Sequence, residues 1–413
     1  MNRRRVVITG MGAVSPLGTS LPETWKNLLE GRTGVGPITS FDVGSHASQI
    51  AAMVKDYDPE NWFSRREARH LDRFTQYALV ACAEAFTDSG LEMDREDPDR
   101  AGVILATGIG GIQEIESQDH TFMAKGARRI TPHFIPMMMP NAAAGQIAIK
   151  YGLKGINFTV ASACASAGHA TGVAARMIRW GDADLMVTGG TEAAITPLGL
   201  AGFSNMKALS TRNDDPARAS RPYDRDRDGF VMGEGAGVLI LEELERARAR
   251  GARIYAELKG FGQNDDAFHI TAPDETAEGA CRVMRKALQD AGLDPEEVDY
   301  INGHGTSTPL NDKVECMAIA KAFGGHASRV ALSSTKSMVG HLLGASAAVE
   351  LAVSALSIHE GRIHLSANLE NPDETATMDL VRGSSREQKV RNLVKNSFGF
   401  GGHNACLVLG ALD

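Results

Sequence analysis

Ser162-Ala-Cys164-Ala-Ser-Ala-Gly168-His169-Ala-Thr-Gly172 and Ser334-Thr-Lys336-Ser-Met-Val-Gly340-His341-Leu-Leu-Gly344 coincide at Ser, Gly, His and Gly with a constant offset of 172 residues. Each stretch leads into a helix of small residues. The pairing suggests a duplicated fold in which each half offers a strand–loop–helix junction to a shared centre. Working outward, short β-branched runs alternate with Ala-rich segments. Val6–Thr9, Gly102–Ala106, Leu185–Thr188 and Gly237–Leu241 read as buried strands, and Asp72–Ser89 and Gly168–Trp180 as helices. That alternation predicts an α/β protein with layered, largely buried sheets.

The chain has 413 residues, more than one ordinary core accommodates. The basic run Arg246–Arg253 ends a helix at Gly251, and a new strand, Ile254–Lys259, is expected after it. The halves are therefore placed at 1–251 and 252–413.

Net charge is −8, which disfavours nucleic acid as a partner. The five cysteines form no CxxC pair and are odd in number. They point to a reducing compartment, away from a disulfide framework or a structural zinc site. No apolar run reaches the roughly 18 residues of a membrane span. The start, Met1-Asn-Arg-Arg-Arg followed by Val6-Val7-Ile8, reads as a strand and not as a signal peptide. A cytoplasmic protein is expected.

Three residues carry the chemistry. Cys164 lies where a β-branched strand passes through small residues into a helix. A helix N-terminus favours a thiolate there, and the small neighbours leave it open to substrate. Cys82, Cys281, Cys316 and Cys406 read as buried structural cysteines. His304 follows the strand end at Asn302 and sits between two glycines that leave its ring uncovered. Strand C-terminal ends are where α/β sheets place their sites. His341 opens the apolar stretch Ala345–Ile358, whose N-terminus would hold its ring neutral. Glu350 is the one charge in that stretch and needs a partner, for which Lys336 is the candidate; a purely structural ion pair is the alternative. Near the C-terminus, Asn396-Ser-Phe-Gly-Phe-Gly-Gly-His-Asn is a glycine-rich turn able to present a backbone N–H.

Other motifs carry less. Gly10-Met-Gly12-Ala-Val-Ser15 lacks the third glycine of a dinucleotide fingerprint. Asp224-Arg-Asp226-Arg-Asp228-Gly229 starts like a calcium loop but has Gly235 at its twelfth position. His359-Glu-Gly-Arg-Ile-His364 is one residue too long for a zinc protease motif.

At these residues the sequence closely resembles the β-ketoacyl-acyl-carrier-protein synthase II family, condensing enzymes of the thiolase superfamily. The resemblance spans essentially the whole chain. It rests on Ala163-Cys164-Ala-Ser166, Thr196-Pro-Leu-Gly-Leu-Ala-Gly-Phe203, Arg227-Asp-Gly-Phe-Val-Met-Gly-Glu-Gly-Ala-Gly237, His304-Gly-Thr-Ser-Thr308, Gly340-His-Leu-Leu-Gly-Ala345 and Asn396-Ser-Phe-Gly-Phe-Gly-Gly402. It implies a duplicated thiolase-like αβαβα fold, a homodimer, and decarboxylative Claisen condensation through acyl-Cys164, with no metal or organic cofactor. His341 at the third catalytic position matches the decarboxylating Cys-His-His group.

The resemblance further implies an oxyanion hole from the N–H groups of Cys164 and Phe400, and a role for Lys336 and Glu350 in tuning the histidines. Ile109, Phe134, Phe203 and Phe400 would line the acyl pocket. Thr306 and Thr308 would hold the phosphopantetheine arm. Arg65, Arg66 and Arg69, extended by Arg128, Arg129 and Lys207, would meet the acidic acyl carrier protein. Competing readings are a ketosynthase of a specialised pathway and a non-catalytic chain-length partner; the intact Cys164 argues against the second. Two departures stand out. His403 replaces the family's usual Thr, and Gly303 stands where many relatives carry Ala.

Overall fold

A computed structural model describes residues 4–412. Each half builds five main strands. The first half supplies β1 (Val6–Val14), β2 (Ala101–Ala106), β3 (Asn157–Val160), β4 (Leu185–Glu192) and β5 (Gly235–Glu243). The second supplies β6 (Ala256–Asp265), β7 (Tyr300–Asn302), β8 (Ala331–Ser333), β9 (Asn392–Gly399) and β10 (His403–Gly410). The first set runs β1-β5-β4-β2-β3 and the second β6-β10-β9-β7-β8, which is the same order counted within each half. Pairing directions also repeat. The first two pairs of each set are antiparallel and the next two parallel. A short antiparallel contact, Val7 opposite Glu257 and Ile8 opposite Ala256, joins the sets, and a two-residue strand, Asp379–Leu380, extends the second.

Two helices lie between the half-sheets: α2 (Ser166–Trp180) and α5 (Ser346–Glu360), which touch strands of both sets and each other. Every residue of α5 from Ser346 to Ser357 is buried, as a helix enclosed on all sides requires. Outside lie α1 (Arg73–Ser89) on the first set, and α3 (Glu278–Ala291) and α4 (Pro309–Phe323) on the second. The result is a duplicated α/β, five-layer αβαβα arrangement of the thiolase type.

Glycines set the spacing of the outer layers in both halves. A Cβ on Gly10 or Gly12 of β1 would stand 2.3 or 2.1 Å from the carbonyls of Ala85 and Ala81 on α1. A Cβ on Gly260 or Gly262 of β6 would stand 2.3 Å from the carbonyls of Ala287 and Val283 on α3. The fragment that looks like a nucleotide motif is thus a helix–strand contact, and the second half repeats it. The strand expected at Ile254–Lys259 begins at Ala256 and runs to Asp265, because β10 pairs with it over that length.

Candidate active site

Cys164 sits on a tight turn between β3 and α2. Ala163 adopts a left-handed φ of 48°, and Ser166 ties the turn by accepting the Ser162 N–H at 2.8 Å and donating to the Ala163 carbonyl at 2.6 Å. His169 adds a 2.7 Å hydrogen bond between its Nδ1 and the Ser162 hydroxyl. From the other half, Gly399 at the end of β9 presses on this turn. A Cβ there would lie 2.8 Å from the Ser162 carbonyl, so only glycine permits the approach. The Phe400 turn that follows brings its N–H to the Cys164 sulfur, where the N–H of Cys164 also points.

His304 stands just beyond β7. Its own N–H and that of Gly305 both donate at 2.8 Å to Glu315, while the N–H groups of Thr306 and Ser307 donate at 3.0 and 3.1 Å to Asp312. Two buried carboxylates three residues apart on α4 therefore fix the whole His304 turn. Gly303 has its own reason: a Cβ there would fall 2.0 Å from the Tyr223 hydroxyl, which bonds Glu315 at 3.0 Å.

His341 precedes α5. Its Nδ1 accepts the Leu343 N–H at 3.2 Å and contacts the Ser346 hydroxyl at 2.8 Å. In the neutral ring the proton therefore sits on Nε2, which has no hydrogen-bond partner among the described residues. The two imidazoles meet edge to face with centroids 5.5 Å apart. One ligating atom from each of Cys164, His304 and His341 lies within 4.8 Å of the others. The three share a cavity of about 350 Å³ with Phe203, Phe230, Thr306, Thr308, Phe398 and Phe400, and Lys207 stands among its lining residues.

Burial holds both histidines well below the usual imidazole range, and the Lys336 ammonium pushes in the same direction. Lys336 bonds Glu350 at 2.5 Å with both side chains buried, and Lys395 of β9, which sequence reasoning overlooked, holds the other oxygen of Glu350 at 2.8 Å. The helix-terminus explanation for His341 needs correction. α5 begins five residues later, at Ser346, after a 3₁₀ turn, so burial and cations neutralise the ring and not a helix dipole.

The expectation of a resting thiolate is corrected as well. Burial pushes the Cys164 thiol up to about 12, outweighing Lys336 and the two N–H groups that favour the anion. The thiol is neutral at pH 7, and its anionic fraction climbs as pH rises. Alkylation of Cys164 by iodoacetamide should therefore accelerate about tenfold per pH unit between about pH 6.5 and 9. A rate plateau below pH 8 would contradict this.

Phe203, Phe400, Thr306 and Thr308 line the cavity, but Ile109 and Phe134 do not. Ile109 packs in the apolar cluster of Phe203, Phe230 and Leu343 behind the wall, and Phe134 opens a short helix, Phe134–Met138. His403 does not line the cavity either; its Nδ1 lies 3.2 Å from Asp265, with both side chains nearly half exposed. Arg65, Arg66, Arg69, Arg128, Arg129 and Lys207 are all exposed, and Arg65 pairs with Glu60 at 2.7 Å. Asp224 is a buried structural acid. It takes backbone N–H groups of Asp226, Glu370 and Asn371 and pairs with Arg221.

Residues 3–247 match the family model for the beta-ketoacyl synthase N-terminal domain, and residues 255–370 that for the C-terminal domain. The chain belongs to the β-ketoacyl synthase family. This β-ketoacyl synthase is 51% identical over 409 residues, 99% of each chain, to a Coxiella burnetii protein named 3-oxoacyl-[acyl-carrier-protein] synthase 2. A Synechocystis protein of the same name is 50% identical over 407 residues, 98% of each chain. A solved structure described as a type II PKS acyl-carrier protein in complex with its ketosynthase bound to the hexaketide superposes with a TM-score of 0.92 at 33% identity, with both chains fully covered.

Proposed function

We propose that this enzyme elongates fatty acyl chains by two carbons, joining acyl- and malonyl-loaded acyl carrier protein through an acyl-Cys164 intermediate. The observation that carries this reading is the convergence of the sulfur and two neutral imidazoles within 4.8 Å on one cavity. The Cys164 sulfur attacks the acyl thioester while its proton passes to a neighbouring neutral imidazole. The carrier's C–S bond then breaks, and the departing thiolate takes that proton, so the carrier leaves as its thiol and the ring is neutral again. The N–H groups of Cys164 and Phe400 hold the oxyanion, each worth about 3 kcal/mol of barrier. The acyl group then occupies the apolar wall of Phe203, Phe230 and Phe398. Malonyl-carrier follows along Thr306 and Thr308, whose hydroxyls lie 2.9 Å apart. Loss of CO2 leaves an enolate whose oxygen faces His341 Nε2–H and the His304 ring. The carbanion attacks the acyl carbonyl, and the sulfur leaves.

The identity to proteins named for acyl-carrier substrates, 51% against 33% for the polyketide ketosynthase, favours the fatty-acid reading over a specialised pathway. The acidic carrier would dock on the exposed arginines and Lys207. A second copy would pair along β3, whose outer edge pairs with no other strand among the described residues and which carries Phe158 at 40% exposure. Among the described residues no helix is long and apolar enough to cross a membrane.

The test is condensation of malonyl-carrier with acyl-carriers of graded length, followed by mass spectrometry of the β-ketoacyl product. Absence of any such product refutes the proposal. Changing Arg65, Arg66 and Arg69 together to Glu should raise the KM for carrier-bound substrate about tenfold while a small acyl thioester is processed as before. An unchanged KM discards that docking face.

A further inference from the structure

Lys395 follows Leu393 and Val394 on β9 and precedes Asn396 and Ser397, and its side chain is completely buried. Its ammonium holds Glu350 at 2.8 Å, donates to the backbone carbonyl of Asn396 and lies 3.2 Å from the Ser397 hydroxyl. Glu350 is already bonded to Lys336 at 2.5 Å. The Glu350 carboxylate thus pairs with two buried ammoniums, Glu315 also faces Lys395, and the positive charges of Lys336 and Lys395 act on both imidazoles. A single pair would have satisfied the carboxylate at less desolvation cost, so stability alone does not account for the second cation.

We propose that Lys395 is a positioning residue that decides the fate of the carbanion: its ammonium, sharing Glu350 with Lys336, favours condensation over protonation of the enolate. The proposal rests on the reading that malonyl decarboxylates between His304 and His341. When CO2 departs, the electron pair of the broken bond remains on the two-carbon thioester. It either forms a carbon–carbon bond to the acyl carbonyl, expelling the Cys164 sulfur, or takes a proton and leaves as acetyl-carrier. A neutral imidazole can donate a hydrogen bond to the enolate, whereas an imidazolium is acid enough to quench it.

The groups that face Lys395 are Glu350 from α5, Lys336, Glu315 from α4, the two imidazoles, and the Cys406 thiol of β10. Burial comes first in holding both rings neutral, and the positive charges of Lys336 and Lys395 add to it. Removing the Lys395 charge moves both rings toward protonation, so quenching appears first as pH falls.

The experiment compares the full-length enzyme with Lys395→Met, and with Lys395→Gln, which keeps polar contacts in the same space. Either change leaves Glu350 paired one-to-one with Lys336, and the melting temperature reports folding. Acyl-loaded enzyme is given malonyl-carrier between about pH 5.5 and 8, and acetyl-carrier and β-ketoacyl-carrier are counted per CO2 released. The native enzyme should hold a constant ratio, while both variants should raise the acetyl fraction roughly tenfold across that range. A folded variant that partitions like the native enzyme at every pH overturns the proposal. Native enzyme that releases no CO2 from malonyl-carrier would instead overturn the function it rests on.

Discussion

Cys164→Ala protein, incubated with acyl-carrier, shows no acyl adduct by intact mass, and its condensation rate falls by about 10⁴-fold or more. The size of the effect follows from the absence of another nucleophile in place. Cys82, Cys281, Cys316 and Cys406 are buried, and none lines the cavity. The architecture survives the change. The nucleophile turn is tied by Ser166, His169 and Ser162, and the oxyanion donors belong to the backbone. A variant with native melting temperature and no adduct therefore isolates the sulfur. A normal adduct on the alanine protein would remove Cys164 from the reaction.

His304→Ala and His341→Ala should each still acquire the acyl group yet condense about 10²- to 10³-fold more slowly, the loss expected for one enolate donor. Their structural consequences differ. The His304 turn is held through main-chain N–H groups on Glu315 and Asp312, so deleting the ring leaves it intact. Deleting the His341 ring strips an acceptor from the Leu343 N–H and the Ser346 hydroxyl, at about 1–3 kcal/mol of stability. His341→Ala should thus lose both activity and thermal stability, and His304→Ala mainly activity. Single-turnover assays on pre-acylated enzyme separate the steps. Condensation at the native rate in either variant would exclude that histidine.

Much of this was legible in the sequence because function here demands small neighbours. Cys164 lies between two alanines and His304 between two glycines, and His341 follows Gly340; a reactive side chain beside residues too small to cover it can be read from a string. The Lys336–Glu350 pair was legible because a lone carboxylate in an apolar helix needs a partner. Lys395 carries a weaker signal, since Leu393 and Val394 precede it but Asn396 and Ser397 follow. Asp312 and Glu315 had a signal too, three residues apart on a helix just after the histidine turn. The protonation states were not legible. Depth of burial and the combined charge of Lys336 and Lys395 exist only once both halves have closed, and they overrode the local helix-terminus arguments for Cys164 and His341. That Ile109 and Phe134 stay outside the cavity lining is likewise a three-dimensional fact with no periodic trace.

The repeated strand order has a consequence for ancestry. The sulfur comes from one copy of the repeat, while both imidazoles and the Phe400 donor come from the other. A half-length forerunner bearing either set could not have turned over by itself; it would have required two subunits meeting as the two halves now meet. Such an assembly would have carried spare reactive groups on each side. Fusing the copies freed each to discard what the other supplied, leaving one asymmetric centre where symmetry would have built two.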